Sequence, residues 1–386
     1  MNEYRLEQLF DLQMGKTPSR NESSYWLNGL HDWISIRDLS NSSKYISETN
    51  EKLSDIAVKE SGIRIIPKDT VIMSFKLSIG KVAITSHDMY SNEAIMAFHD
   101  KKVVEILPEY LYYLLLGKNW DEGSNKAVMG ITLNKATLSI IKIRMHDIVN
   151  QVQITSILDN LDKQINNKKK QLTEYDQLIK SRFVEMFGDI IRNDKKWSSA
   201  SLNDLATVGS SKRIYQSEYS TQGIPFYRSK EIIELGKNEK PSVELFISKE
   251  RYKEIKANYG VPKVGDLLIT AVGTIGKIWI VDSNSPFYYK DGNIVYIRSN
   301  NFNSIFFKQS LLVLIDNFKI KNVAGSAYPA LTIEKLKEMI VVKPPMEYQN
   351  EFSEFSQQVD KLKFEVQKSL NETQMLFDSL MQEYFG

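Results

Sequence analysis

The sequence predicts an α+β protein: two similar mixed α/β globular domains separated by a long antiparallel two-helix coiled coil, with a pseudo-twofold internal repeat. Three observations carry this expectation. A series of motifs occurs twice in the same order, each copy passes from short β-branched runs to heptad spacing, and 386 residues suffice for two domains. The expected boundaries are a first domain over 1–147, a first helix over 148–192, a second domain over 193–345 and a second helix over 346–386.

The repeat is read directly from matched segments. Residues 71–84 (VIMSFKLSIGKVAI) answer residues 267–280 (LLITAVGTIGKIWI), with Gly80-Lys81 matching Gly276-Lys277 at an offset of 196. Residues 33–38 (WISIRD) line up with 226–231 (FYRSKE) and residues 131–135 (ITLNK) with 331–335 (LTIEK), at offsets of 193 and 200. Collinear matches with a small drift are what loop insertions between shared elements produce. Within each copy, runs at 70–73, 81–85, 267–270 and 293–297 are β-branched or aromatic and bounded by Gly, Asp and Ser, as strands are.

After Ile148 the period changes. Ile154, Leu158, Leu161, Ile165, Leu172, Tyr175 and Ile179 alternate by fours and threes, with Lys168 interrupting one position. From Met346 the second copy is expected to do the same with Phe352, Phe355, Val359, Leu362, Val366, Leu376 and Leu380, while Ser369 and Thr373 fill weaker layers. Neither segment contains Pro, or Gly before its end, and helices of this length need a partner in water. The connection through a domain of about 150 residues favours an intramolecular antiparallel pair, although heptads alone also permit parallel or intermolecular pairing.

Composition excludes several classes. Hydrophobic residues make up 42% and charged residues 25%, as in globular proteins. There is no cysteine, so thiol catalysis, disulfides and thiolate metal sites are absent. The longest apolar runs, 110–116 and 311–315, are too short to span a membrane, and the expected location is cytoplasmic. The net charge of +2 hides an asymmetry: residues 193–345 carry 22 basic against 15 acidic side chains, and residues 346–386 carry 3 against 8. A basic domain suits a polyanion, and an acidic helix suits a basic protein surface.

Catalytic motifs fail on spacing. Gly15-Lys16-Thr17 ends like a P-loop, but the first Gly of that motif is replaced by Phe10, and Gly273 to Lys277 is too short and lacks a following Ser or Thr. Lys343-Pro344-Pro345-Met346 lacks the Asn and the aromatic residue of a methyltransferase step and suits a helix start. No carboxylate cluster beside a Lys points to a nuclease, and the four His residues, His31, His87, His99 and His146, show no metal spacing.

The ordered motifs resemble those of the specificity subunits of type I restriction-modification systems. The resemblance covers essentially the whole chain. It is carried by Gly15-Lys16-Thr17-Pro18-Ser19 with Tyr25-Trp26 and Trp33, the two Ile-Gly-Lys strand pairs, the Thr-Leu-Asn-Lys and Thr-Ile-Glu-Lys elements before each helix, and Pro344-Pro345 with Gln349. Two departures leave local register open: Gly209-Ser210-Ser211-Lys212 stands where the first copy has Gly-Lys-Thr-Pro, and His146-Asp147 where the second has Pro344-Pro345. The resemblance implies a non-catalytic subunit with two target-recognition domains, each reading one half of a split double-stranded DNA sequence. It implies helices that set the half-site gap and dock two methyltransferase subunits, with endonuclease/translocase subunits added for restriction. S-adenosylmethionine, ATP and Mg are then expected only on those partners. The competing reading is a coiled-coil scaffold whose two β-rich domains bind protein or another ligand.

Base readout needs side chains with two-point hydrogen bonding, and phosphate contact needs Lys, Arg and hydroxyls. The repeats select Arg37, Lys76, Ser78, Lys81, Arg213, Arg228, Lys230, Thr274 and Lys277 as DNA-binding candidates. The alternative is structural: Gly-Lys turns that merely link strands, and Arg37-Asp38 and Lys230-Glu231 as ion pairs.

Overall fold

The computed structural model describes residues 2–76, 78–120, 133–322 and 330–386. It contains two compact units, Met1–Lys170 with Gln367–Gly386, and Gln171–Val366.

In the first unit a five-stranded sheet runs in the order Phe10–Met14, Ile95–Asp100, Val71–Ser74, Val82–Thr85, Tyr45–Ile46, antiparallel except for the last pairing. The strands Val71–Ser74 and Val82–Thr85 are buried on both faces, which is why they are apolar runs without alternation. Val71, Met73, Val82 and Ile84 enter one core with Tyr110, Tyr113 and Leu114 of helix Pro108–Gly117, while Ile72 and Ala83 enter another with Ile34 and Leu39. A second sheet pairs Glu51–Leu53, His31–Ile34 and Tyr90–Ser91.

The second unit repeats this scheme. Its main sheet runs Thr207–Ser210, Ile294–Arg298, Leu267–Thr270, Ile278–Ile280, all antiparallel. Leu267, Ile269 and Ile278 face a core with Phe306, Phe307 and Leu311 of helix Ser304–Lys321, and Leu268 and Trp279 face the other side. A second sheet orders Tyr219–Ser220, Phe246–Ile247, Ile224–Tyr227 and Tyr288–Tyr289.

Strand register fixes which residues correspond. Trp33 pairs in parallel with Tyr90, and Phe226 with Tyr288, so the offset of 193 holds there. Met14 and Met73 both pair with Met96, while Ser210 and Ile269 both pair with Val295. Lys16 therefore corresponds to Lys212, and Gly209 falls opposite Gln13 instead of Gly15. A second correction concerns the elements before the long helices. Asn134 caps helix Lys135–Ser139 and Thr332 caps helix Ile333–Lys337, each accepting from the backbone three residues on, so the true offset is 198. The match of 131–135 to 331–335 is two residues out of register, and Ile131 and Thr132 lie outside the described residues.

The long helices are Ile148–Phe187 and Met346–Phe385, 40 residues each, about 60 Å at 1.5 Å per residue. The first ends before Gly188, whose φ of 73° is open to Gly, and so stops short of the expected residue 192. Each is tied to its own domain by a buried glutamine. Gln151 accepts from Leu107 N (3.0 Å) and donates to Glu105 O and His146 O. Gln349 accepts from Asn303 N (3.0 Å) and donates to Pro344 O. Leu107 and Asn303 are the N-caps of helices Pro108–Gly117 and Ser304–Lys321, so each glutamine satisfies a cap amide that the following helix cannot.

Within each unit, segments of the two long helices pack against one another. In the second unit Asp176 meets Lys363 and Arg182 meets Glu351, while Phe183 and Phe352 stack edge-on at 5.3 Å, so the segments are antiparallel. In the first unit Lys168 Nζ donates to Thr373 Oγ1 (2.5 Å) and Ser369 O (3.3 Å). The first helix uses its expected stripe: Ile154, Leu158, Leu161 and Ile165 are buried, and Leu172, Tyr175 and Ile179 are half-buried.

On the second helix half of the expected seam moves by one residue. Phe352, Val359, Val366 and Leu380 lie on the inner face, but Leu362 and Leu376 are 52% and 51% exposed and Phe355 is only half-buried. The alternate layers are instead Ser356, Lys363, Leu370 and Phe377, each four residues beyond its predecessor in the stripe. Two of these are polar or charged, so a reading that sought apolar side chains passed over them for their apolar neighbours. Among the described residues, no helix is long and apolar enough to cross a membrane, and no group of His, Asp and Glu is placed to hold a metal ion.

Candidate nucleic-acid interface

The repeated Gly-Lys motifs close one kind of turn in both units. In the first, buried Ser74 donates through its hydroxyl to Ser78 O and accepts from Lys81 N (3.0 Å), while Gly80 N donates to Ser74 O (3.0 Å). In the second, buried Thr270 donates to Thr274 O (2.5 Å) and accepts from Lys277 N (3.0 Å), while Gly276 N donates to Thr270 O (2.8 Å). The inward hydroxyl replaces ladder partners that the turn removes, so the loop holds its shape without a side chain at its tip.

The glycines serve the same purpose. Gly80 and Gly276 have φ of 84° and 80°, and a Cβ at Gly276 would stand 2.6 Å from Ile315 Cγ2. A fixed turn therefore presents Ser78 and Lys81 in one unit, and Thr274 and Lys277 in the other, with all four side chains exposed. Neither Lys81 nor Lys277 has an ion-pair partner among the described residues. Lys76, half-buried in the first turn, lies 5.3 Å from the ring centroid of Phe75.

The other candidates follow the strands His31–Ile34 and Ile224–Tyr227. Each strand runs into a helix whose first turn holds a buried carboxylate: Asp38 accepts from Ser35 N (2.9 Å), and Glu231 accepts from Arg228 N (2.7 Å). Burial alone would raise the Asp38 carboxyl. Hydrogen bonds from Ser35 and Asn50 outweigh it and hold the group below its ordinary value. Asp38 and Glu231 are thus capping residues, and Asp38 makes no ion pair with Arg37. Arg37 is exposed, without an ion-pair partner among the described residues.

Three candidates are engaged in ion pairs. Arg228 is bonded to Glu231 and Glu244, both at 2.9 Å, and these bonds raise its guanidinium above the ordinary value. Lys230 shares Glu244 at 3.4 Å, and Arg213 Nε donates to Asp291 at 2.8 Å. Lys230 thus pairs with Glu244 and not with Glu231, as the structural alternative had it, while the Arg228 guanidinium is bonded to two carboxylates within the protein. The structure brings Lys76, Ser78 and Lys81 into one turn, Thr274 and Lys277 into its counterpart, and Arg228 and Lys230 around Glu244.

Sequence matching missed a group of lysines in the second unit. Helix Lys249–Asn258 carries Lys249, Lys253 and Lys256, all exposed, and Lys212 lies 5.0 Å from the ring centroid of Tyr259 just beyond it. Their i, i+4, i+7 spacing was legible, but the counterpart helix Asp55–Glu60 holds a single Lys, so comparing the repeats gave no signal. In the first unit Arg20 is held 3.8 Å over the Trp26 ring and on Glu51.

Comparison with known proteins agrees with this architecture. The family described as type I restriction modification DNA specificity domain matches residues 1–175 and again residues 194–373. The type I restriction enzyme MjaIX specificity subunit of Methanocaldococcus jannaschii is 30% identical over 250 residues, which cover 59% of this chain and 57% of that one. A putative type I restriction enzyme specificity subunit of Haemophilus influenzae is 29% identical over 249 residues, covering 62% and 61%. The match thus spans about three fifths of these relatives' length. Among solved structures, the S subunit of a type I restriction-modification system from M. genitalium has a TM-score of 0.57 at 15% identity, covering 100% of this chain and 96% of that one. A chain from a study of type I R-M complex assembly has a TM-score of 0.60 at 16% identity, covering 100% and 97%. These likenesses show the same fold, and the twofold family match spans most of the sequence, so the chain belongs to the type I restriction-modification DNA specificity domain family.

Proposed function

We propose that this chain is the non-catalytic sequence-specificity subunit of a cytoplasmic type I restriction-modification complex. Each globular domain reads one half of a bipartite, asymmetric DNA target through the major groove. The long helices set the half-site spacing and dock two methyltransferase subunits. Endonuclease/translocase subunits join for restriction, and S-adenosylmethionine, ATP and Mg belong to the partners.

The observation that carries this reading is a DNA specificity domain matched twice, on units that share one frame and present different side chains. The turns at 74–81 and 270–277 have the same internal bonding and each shows a hydroxyl and a lysine, Ser78 and Lys81 or Thr274 and Lys277, yet Lys76 of the first stands where the second has the exposed Val272. Equivalent frames suit successive turns of a duplex, about 34–36 Å apart. Different faces suit different bases, which makes the target asymmetric. Docking of a partner on the second long helix is supported by apolar side chains one residue beside the seam, Phe355 and Leu362 in the second unit and Leu376 in the first, of which Leu362 and Leu376 are half exposed.

The test is co-expression with a cognate methyltransferase subunit and methylation-sensitive sequencing of host DNA. A split asymmetric methylated motif that needs both chains is the expected outcome. A palindromic motif would refute independent reading by the two domains. A stable complex without new methylation or DNA binding would favour the scaffold.

A further inference from the structure

We infer that helix Lys249–Asn258 of the second unit is a phosphate-tracking element, which grips the DNA backbone beside the half-site that this unit reads. The inference rests on the DNA-binding reading above and adds to it a surface that neither the repeats nor the family assignment singles out. Lys249, Lys253 and Lys256 are spaced i, i+4, i+7 and so fall within about 60° of arc on the helix. All three are exposed, and none has an ion-pair partner among the described residues. The helix's acidic residues lie on another face: Glu254 is held by Arg251 at 2.7 Å, and Glu250 shares that side.

The face is rigidly mounted. Ile255 is buried in a cluster with Phe226, Ile247 and Tyr288, Ser248 caps the first turn through Arg251 N, and Arg251 bridges to Glu218 at 2.8 Å. Beyond the last turn, Lys212 extends the basic surface. Its backbone N donates to Tyr288 Oη at 2.6 Å and its amine lies against the Tyr259 ring. Strand Ile224–Tyr227, which leads into Lys230, belongs to the same cluster through Phe226, so the lysine face and that candidate share one small core. Lysine suits this task because its amine meets a phosphate as a point charge without demanding a particular base. In the first unit the corresponding helix, Asp55–Glu60, has Asp55 bonded to His31 and Glu60 accepting from Tyr25. Backbone grip is therefore unequal, and the second unit supplies more of it.

The test compares the full wild-type chain with a Lys249→Gln/Lys253→Gln/Lys256→Gln variant and with the corresponding triple Lys→Arg variant. Binding to a 40-base-pair mixed-sequence duplex, roughly four helical turns, is followed by fluorescence anisotropy across a salt series, and each chain's preferred sites are selected and sequenced. If three phosphates are contacted, the Gln variant loses about 2–3 from the slope of log K against log salt. Its selected motif stays the same, and the Arg variant keeps the wild-type slope. A wild-type slope in the Gln variant overturns this inference while leaving the DNA-binding reading intact. A changed motif also overturns it, because the lysines would then be reading bases. A wild-type chain that does not bind the duplex overturns both.

Discussion

Leu370 and Leu376 lie on one helix, in one compact unit, and differ in what covers them. Leu370 is 8% exposed in the inner stripe, and Leu376 is 51% exposed on the stripe beside it. Truncating a buried leucine to Ala costs the transfer energy of the lost methyl groups plus a cavity, about 2–5 kcal/mol. Leu376, with half its side chain already in water, loses about 1 kcal/mol or less. Leu370→Ala should therefore lower the urea midpoint of helical unfolding well beyond Leu376→Ala, with the slope unchanged. Assembly with a methyltransferase subunit should reverse that order per unit of stability lost, because the outer stripe is the surface proposed for docking. Equal stability costs would refute the register of the helix pair. A Leu376→Ala chain that assembles like the wild type would refute docking on that stripe.

Other perturbations probe the remaining steps. Thr270→Val keeps the volume but leaves Lys277 N and Thr274 O without their hydroxyl partner, at about 1–3 kcal/mol, and faster hydrogen exchange at Lys277 is the expected sign. Unchanged exchange would show that the hydroxyl does not hold the turn. Reversing charge at Glu354 and Glu365, both exposed, should weaken methyltransferase assembly without moving the unfolding midpoint. Glu351 is left out of this test because it already pairs with Arg182 at 2.8 Å. Because the Asp38 carboxyl is held below its ordinary value, it contributes stability above about pH 4 that is lost as pH falls through the folded value. Asp38→Asn should flatten acid unfolding of the first unit in that window, and an unaltered acid limb would assign the pH dependence elsewhere.

Much of the architecture was legible because it rests on patterns that sequence displays. The doubly buried strands read as apolar runs, the helices as heptads, and the repeat as collinear matches. What misled was chemistry that depends on neighbours. Lys363 occupies an inner layer because Asp176 sits 2.5 Å from its amine, a pairing invisible without the register of the two helices. Lys168 is accommodated likewise by Thr373 and Ser369. Such polar layers cost stability but suit one register of the helix pair better than its neighbours. Among the candidate contacts, Lys230 matched Arg37 in sequence, yet Glu244 draws Lys230 and its neighbour Arg228 into ion pairs, and only tertiary structure places Glu244 there.

The two turns show how one fold can acquire different specificities. What the copies share lies beneath the surface: a buried hydroxyl at Ser74 or Thr270, a left-handed glycine at Gly80 or Gly276, and a glutamine at Gln151 or Gln349 that anchors the long helix. What differs is exposed, from the side chains at the turn tips to the lysine face of helix Lys249–Asn258, which its counterpart Asp55–Glu60 lacks. Because the turn is closed by backbone amides and an inward hydroxyl, its outward side chains can change without loosening it. Substitution at Ser78 or Thr274 should therefore alter which sequence is bound at little cost to folding, whereas substitution at Ser74 or Thr270 should loosen the turn and weaken binding to every sequence. Selecting DNA sites with Ser78 and Ser74 variants separates the two, and a Ser78→Arg chain that selects the wild-type motif would remove that turn from base readout.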